Sequence, residues 1–411
     1  MSTDRTSGGL SKGWVCVLAL AVACGGSSGG GRVDSGTPGA DAGGLPADAG
    51  QDGDAGTSPD AGPDAGPPAD AGVPPDGGTD SDAGTADGTR IQLPPGGRLY
   101  HGVFPAGTGR PDADISMQAA DAYRDAVGRP LAWIYFSNEW YVTKQFPRVT
   151  AEAIRSRGAV PFIRLHMRSQ QRQLIPDPRY TLDRIAAGEF DGELRTWADG
   201  AKAFGTAVIV QYGTEVNGDW YPWSPPYNGG FEVGPAKFQL AFRRIVEVMR
   251  DQGANNITWA FHLNGENWPS DTPLNNAGAY YPGDDVVDWI GFSIYQTQGP
   301  DQTKCRDLDA LLKAREAELG DVASRKPLFL FEFGTNVVAT ACKPVEWTRK
   351  TLEDLLGGRW PELRGFSWWS ETFTDGSSVM SVPDTPELRE AFHDVLNGPL
   401  GPNLQDRPIV R

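Results

Sequence analysis

The segment Ala207-Val208-Ile209-Val210-Gln211-Tyr212 runs directly into Gly213-Thr214-Glu215-Val216-Asn217-Gly218-Asp219-Trp220-Tyr221-Pro222-Trp223. The first six residues are mostly apolar and β-branched, which suits a short strand buried on both faces. Gly213 ends the run, and a carboxylate followed by three aromatic residues stands at its exit. A second segment repeats the arrangement: Leu328-Phe329-Leu330-Phe331 leads into Glu332-Phe333-Gly334-Thr335-Asn336. A carboxylate between two phenylalanines at a strand end is costly to bury unless it is hydrogen-bonded or used.

Short apolar runs of the same kind recur along the chain. They lie at Leu99–Phe104, Leu131–Phe136, Val160–Leu165, Ala207–Tyr212, Ile257–His262, Trp289–Ile294, Leu328–Phe331 and Gly365–Trp369. Helical spacing falls between them, in Phe238, Ala241, Phe242, Ile245 and Met249, then in Leu308, Leu311, Leu312 and Leu319, then in Leu388, Ala391, Phe392 and Val395. Thr385 and Pro386 open the last of these as an N-cap and first-turn pair. Eight strands alternating with helices predict an α/β chain of parallel strands and right-handed crossovers, a single (β/α)8 TIM barrel over residues 91–411. No Gly-x-Gly-x-x-Gly or phosphate loop follows a strand, which weighs against nucleotide binding.

Upstream of that barrel the composition changes. No aromatic residue lies between Trp14 and Tyr100, although the chain holds 17 Phe, 13 Trp and 11 Tyr. Residues 1–24 read as a signal peptide: Arg5 and Lys12, an apolar run from Trp14 to Ala23, then small residues before Cys24. Ala21 and Ala23 ahead of Cys24 favour a lipoprotein cleavage box with Cys24 lipidated, ordinary signal-peptidase cleavage being the alternative. Residues 25–90 repeat Asp-Ala-Gly from Asp41, Asp48, Asp54, Asp60, Asp64, Asp70 and Asp82, interleaved with Pro. With no apolar surface to offset chain entropy, this stretch is expected to be a disordered tether.

Of the net charge of −16, that tether carries −10, the first 24 residues +1 and residues 91–411 the remaining −7. A nucleic-acid surface would need the opposite sign. The expected location is therefore exported, at the cell surface or outer membrane or else secreted, with membrane contact only through the N-terminal lipid. Cys305 and Cys342 remain for the folded part, and an exported compartment permits them to pair. Four histidines without ligand spacing give no zinc site, and the chemistry expected below requires no cofactor. The chain is expected to act as a monomer.

In a closed barrel, the fourth and seventh strands lie across the mouth from one another, so Glu215 and Glu332 converge at the C-terminal face. Two carboxyl groups ~5 to 5.5 Å apart are what retaining cleavage of a glycosidic bond needs. Sugar rings stack their C–H faces on indole and phenol rings, which suits Trp220, Tyr221, Trp223, Tyr295 and the pair Trp368-Trp369. At these residues the sequence resembles glycoside hydrolase family 26, the β-mannanase family of the retaining barrel glycosidases. The resemblance covers most of residues 98–397. It rests on Glu215 to Trp223, on Tyr281-Pro282-Gly283-Asp284-Asp285-Val286-Val287-Asp288-Trp289-Ile290-Gly291, and on Leu328 to Gly334.

The resemblance implies that Glu215 is the acid/base and Glu332 the nucleophile. Tyr295 would hydrogen-bond Glu332, Trp220 would wall the cleaved sugar and Trp369 would be a stacking platform. His166, in Arg164-Leu165-His166-Met167-Arg168, is a candidate substrate-binding residue or a structural one. Mannanases of this family carry His before the acid/base, and here Thr214 stands there. The implied activity is endo-acting hydrolysis of β-1,4-mannan. A mixed-linkage β-glucanase, a β-1,3-xylanase or a noncatalytic carbohydrate-binding lipoprotein are the alternatives.

Overall fold

The computed structural model describes residues 90–108, 115–299 and 303–411. The expected signal peptide, the lipidation site at Cys24 and the tether up to residue 89 lie outside the described residues. The eight strands are β1 Tyr100–Thr108, β2 Trp133–Glu139, β3 Val160–His166, β4 Val208–Tyr212, β5 Ile257–Asn264, β6 Trp289–Tyr295, β7 Leu328–Gly334 and β8 Leu363–Thr372. Each pairs in parallel with the next, and β8 pairs with β1, so the sheet closes into an eight-stranded barrel. The helices among the described residues are α1 Met117–Val127, α2 Arg148–Arg155, α3 Leu182–Ala186, α4 Asp191–Phe204, α5 Gly234–Asp251, α6 Leu308–Leu319, α7 Asp321–Arg325, α8 Pro344–Leu356 and α9 Pro386–Asn397.

The helical spacing read from the sequence marks the faces that pack on the barrel. Phe238, Ala241, Phe242, Ile245 and Met249 are buried along α5, as are Leu388, Ala391, Phe392 and Val395 along α9. On α6, Leu308, Leu312 and Leu319 are buried, with Leu311 packed partly exposed beside them. Thr385 holds the N-cap position of α9 but its hydroxyl makes no capping bond, so Pro386 with its preset φ supplies the start signal.

Strand alternation sorts side chains into two layers. Outward residues such as Ile163, Leu165, Val208, Val210, Phe333 and Trp368 join the core between strands and helices. Inward residues, among them Phe104, Trp133, Tyr135, Phe162, Trp289, Phe329, Phe331 and Trp369, fill the barrel. That interior is mainly aromatic: Trp289 and Phe329 stack at 4.3 Å, and Trp133 meets both at 6.2 and 6.0 Å. Such large rings fit because glycine faces them. A Cβ on Gly102 would sit 2.1 Å from the Trp133 indole, and one on Gly291 would sit 2.0 Å from the Phe331 ring.

The N-terminal face of the barrel is closed by both ends of the described chain. Ile91 bridges Val410 antiparallel, Arg90 and Arg411 exchange backbone bonds of 2.7 and 3.0 Å, and Arg90 pairs with Asp288 at 3.3 Å. The segment Tyr281–Asp288 also belongs to this face, where Tyr281 donates to Asp284 and Asp284 and Asp285 pair with Arg325 and Arg243. One of the three motifs therefore serves the architecture, and the chemistry is left to the opposite face.

Candidate active site

Glu332 reaches the barrel mouth through a break in alternation. Phe331 points into the barrel and Phe333 points out, so one of the residues around Glu332 must depart from the period of two. The β6–β7 register shifts at this point, from Phe292↔Leu330 to Ser293↔Glu332. Such a bulge re-aims one side chain, and here it turns Glu332 to the same side as Phe331. The strand was expected to stop at Phe331, but pairing of Tyr295 with Gly334 carries it three residues further and holds Glu332 inside the ladder.

Three groups converge on this buried carboxylate. Tyr135 donates to Oε1 at 3.1 Å, Tyr295 donates to Oε2 at 3.0 Å, and the Arg164 guanidinium lies 3.5 Å from Oε1. Two hydroxyl donors and a fixed cation are what an ionised carboxylate needs out of water. Arg164 itself lies over the rings of Phe104, Tyr135 and Trp369 at 5.2, 5.3 and 5.1 Å, a cation held against aromatic faces.

Glu215 is held differently. It follows Gly213 (φ +72°) and has itself φ +53°, a left-handed backbone rarely adopted by non-glycine residues and found most often at functional sites. The Gly218 amide closes this turn on the Glu215 carbonyl at 2.9 Å. A Cβ on Gly218 would lie 2.5 Å from the Trp220 ring, so glycine is required for that indole to fold back and donate to Glu215 Oε2 at 2.8 Å. Asn217 fixes the same turn to the end of β5, accepting from the Asn264 amide at 2.7 Å and donating to its carbonyl at 3.0 Å.

Burial, and next the charge of Glu332, push the Glu215 carboxyl up to about 8, against the opposing hydrogen bonds from Ser293 and Trp220 and the more distant Arg164. One carboxyl therefore keeps its proton at neutral pH beside another that is ringed by donors. Unequal carboxyl environments of this kind separate a proton donor from a nucleophile.

Behind the pair lies a buried layer of which the sequence reading singled out His166 and Thr214 but not Gln211, Glu139, Arg168 or His262. Gln211 donates to Tyr135 at 2.6 Å and to Thr214 at 2.9 Å. His166 Nε2 meets Thr214 Oγ1 at 3.0 Å, and its Nδ1 meets Glu139 at 2.7 Å. Arg168 donates to both oxygens of Glu139 at 2.6 and 2.7 Å. His262 Nε2 meets Ser293 at 2.8 Å. The period of two carried this information: Trp133, Tyr135 and Glu139 share a face of β2, and Phe162, Arg164 and His166 share a face of β3. A charged residue within an apolar strand, as at Arg164, was the legible sign.

The candidate aromatic and histidine residues divide accordingly. Trp220 is half-buried and touches Glu215, and Tyr295 bonds Glu332. Trp369 points inward, stacked on Phe104 at 3.8 Å with its indole donating to Glu371 at 2.7 Å, whereas Trp368 packs outward against Phe392. Trp369 is 4% exposed, so only an edge faces the mouth. Tyr221 and Trp223, expected in a groove, instead stack on each other at 4.6 Å and pack on His166, with Trp223 donating to the Thr214 carbonyl. His166 is fully buried with both ring nitrogens engaged, which sets it behind the site rather than on its surface.

Cys305 and Cys342 are joined in a disulfide that ties the segment after β6 to the one after β7.

Comparison with known proteins gives the following likenesses. The family model described as glycosyl hydrolase family 26 matches residues 184–337. Endoglucanase H of Acetivibrio thermocellus is 27% identical over 233 residues, 54% of this chain and 23% of that protein. A β-1,3-xylanase of Vibrio sp. is 27% identical over 115 residues, 28% of this chain and 22% of that protein. The chain thus spans about a quarter of the length of these curated relatives. A family 26 β-mannanase of Bacteroides ovatus superposes with a TM-score of 0.52 at 15% identity, covering 74% of this chain and 89% of that one, a likeness of fold. The matched residues 184–337 are the stretch in which both Glu215 and Glu332 lie, so the likeness to glycosyl hydrolase family 26 covers the candidate site itself.

Proposed function

We propose that the chain is a retaining endo-β-glycanase that cleaves β-linked polysaccharide by double displacement, with β-1,4-mannan as its first substrate. The observation that carries this reading is the inequality of the two carboxyls: Glu332 with two tyrosine donors and a guanidinium, Glu215 raised to about 8 by burial and by its neighbour's charge. Glu332 attacks the anomeric carbon while Glu215 gives its proton to the departing glycosidic oxygen. Once Glu332 is esterified its charge is gone, the second cause of the high proton affinity of Glu215 disappears, and Glu215 takes a proton from water as that water attacks.

Two features favour a second polymer. Thr214 stands where mannanases of the family carry His, and the curated relatives are named as an endoglucanase and a β-1,3-xylanase. Mixed-linkage β-glucan and β-1,3-xylan are therefore the alternative substrates. We propose export in either case, and the Cys305–Cys342 disulfide suits an oxidising compartment. We propose attachment through lipidated Cys24, with the chain acting as a monomer on glycan alone.

The test is release of reducing sugar from mannan, galactomannan, glucomannan, lichenan and β-1,3-xylan, with Glu215→Ala and Glu332→Ala alongside. Hydrolysis of one polymer, abolished in both variants and with the β-anomer as first product, is the expected result. Silence of the folded wild type on every polymer would overturn the reading in favour of a carbohydrate-binding lipoprotein.

A further inference from the structure

We propose that Thr214, His166 and Glu139 are positioning residues for the nucleophile, acting through a hydrogen-bond relay whose every direction is fixed by a carboxylate at each end. This rests on the reading of Glu332 as the nucleophile and goes beyond it, because none of the three residues touches Glu332.

The directions follow from donor and acceptor counting. Glu332 only accepts, so the Tyr135 hydroxyl at 3.1 Å gives it the proton. That hydroxyl must then accept from the Gln211 amide at 2.6 Å. The second proton of the same amide goes to Thr214 Oγ1 at 2.9 Å. At the other end Glu139, gripped by Arg168, accepts from His166 Nδ1 at 2.7 Å. The imidazole is therefore the Nδ1–H tautomer, leaving Nε2 to accept the Thr214 hydroxyl proton at 3.0 Å. Burial disfavours the charged ring and, with the flanking arginines, outweighs the pull of Glu139, which keeps the imidazole neutral.

All the members of this relay are buried, so water cannot substitute for a missing partner. The hydroxyl of Thr214 is the joint. Without it the Gln211 amide loses the contact that sets its rotation, and the Tyr135 proton is no longer held on Glu332. Glu139 and His166 act one step further back, as the orienting pair for that hydroxyl.

Two measurements on the full chain test this. In kinetics on the polymer it hydrolyses, Thr214→Val lowers kcat about 10-fold with KM within about twofold, and Thr214→Ser restores most of it. In the Tyr135→Phe background Thr214→Val costs less than about twofold, because the path to Glu332 is already cut. Equal costs in both backgrounds, or no rescue by serine, would overturn the relay. The second readout needs no activity. With only four histidines, 15N-histidine NMR resolves His166, expected as neutral Nδ1–H between about pH 6 and pH 8, with its Nε2 signal moved by Tyr135→Phe. A protonated Nε2, or a signal indifferent to that substitution, sinks the relay whatever the substrate. The NMR signature in a chain inactive on every glycan would leave the relay standing and remove the proposed reaction.

Discussion

Tyr295 on β6 sits opposite Gly334, two residues beyond Glu332 on the adjacent β7, and its hydroxyl reaches back to donate to Oε2 of the carboxylate at 3.0 Å. Tyr135 holds the other oxygen from β2, so the carboxylate plane is set by two donors on opposite sides. Such a clamp matters most when Glu332 must approach a carbon in one orientation.

Replacing Tyr295 by Phe removes one charge-assisted bond, worth about 1.5–3 kcal/mol, without a change of shape. The expected outcome is a kcat lowered about 10- to 100-fold, with the melting temperature lowered by only a few degrees. Steady-state kinetics on the hydrolysed polymer checks this. An unchanged kcat would mean that the bond does not orient the nucleophile.

In the proposed mechanism the proton of Glu215 sets the alkaline limit of activity. Its carboxyl is raised by burial and then by Glu332, so kcat/KM is expected to fall as pH rises through about 8. The Trp220 indole opposes that shift by bonding the ionised form, and Trp220→Phe should therefore move the alkaline limb upward. The same group bears on stability. A carboxyl raised in the folded state favours the fold at low pH and loses that contribution as pH rises through its folded value. Glu215→Gln, which needs no proton, is expected to melt higher than wild type above about pH 8 and to differ least below about pH 4. Thermal melts across pH, read beside the rate profile, check both limbs.

Much of the barrel was legible because burial on both faces leaves an unbroken apolar run, and eight of these runs mark the strands. Glu215 and Glu332 were legible for the same reason, as carboxylates at the ends of such runs. The bulge at Glu332 was not, since a local shift in register depends on what the neighbouring strand offers rather than on any residue near Phe331. The aromatic cluster after Glu215 misled in part. Only pairing in space separates Trp220, turned back onto Glu215 around Gly218, from Tyr221 and Trp223, which pack on His166. Arg164 and Glu139 were written in the alternation of β3 and β2, where a charge shares a face with buried aromatics.

Glu139 offers a stability test. Burial disfavours its charge, but His166 and Arg168 more than offset this and hold its carboxyl down to about 2. A carboxyl lowered in the fold contributes stability above its unfolded value, lost as pH falls toward the folded one. Glu139→Gln takes the carboxylate charge away from buried Arg168, and breaking a buried pair on one side costs about 3–5 kcal/mol in comparable sites. A much lower melting temperature at neutral pH is expected, with the gap from wild type narrowing below about pH 4. A constant gap across pH would assign the loss to packing instead of charge.

The disulfide joins two segments that follow the strands bearing Tyr295 and Glu332. It closes a loop across 37 residues, and Gln296 donates to the Cys342 carbonyl at 2.6 Å beside it. A cross-link over such a loop restricts the unfolded chain by about 3–4 kcal/mol, most of which should appear as a lower melting temperature in Cys305→Ser/Cys342→Ser or under reductant. Because the link joins the segments that follow β6 and β7, its loss is also expected to loosen the ladder that holds Glu332 inward. The double variant is therefore expected to lose kcat a few degrees below its own melting transition, while wild type keeps activity up to unfolding. Parallel assays of rate and circular dichroism against temperature distinguish this from a global effect. Coincident loss of rate and structure in both proteins would restrict the disulfide to stabilising the fold.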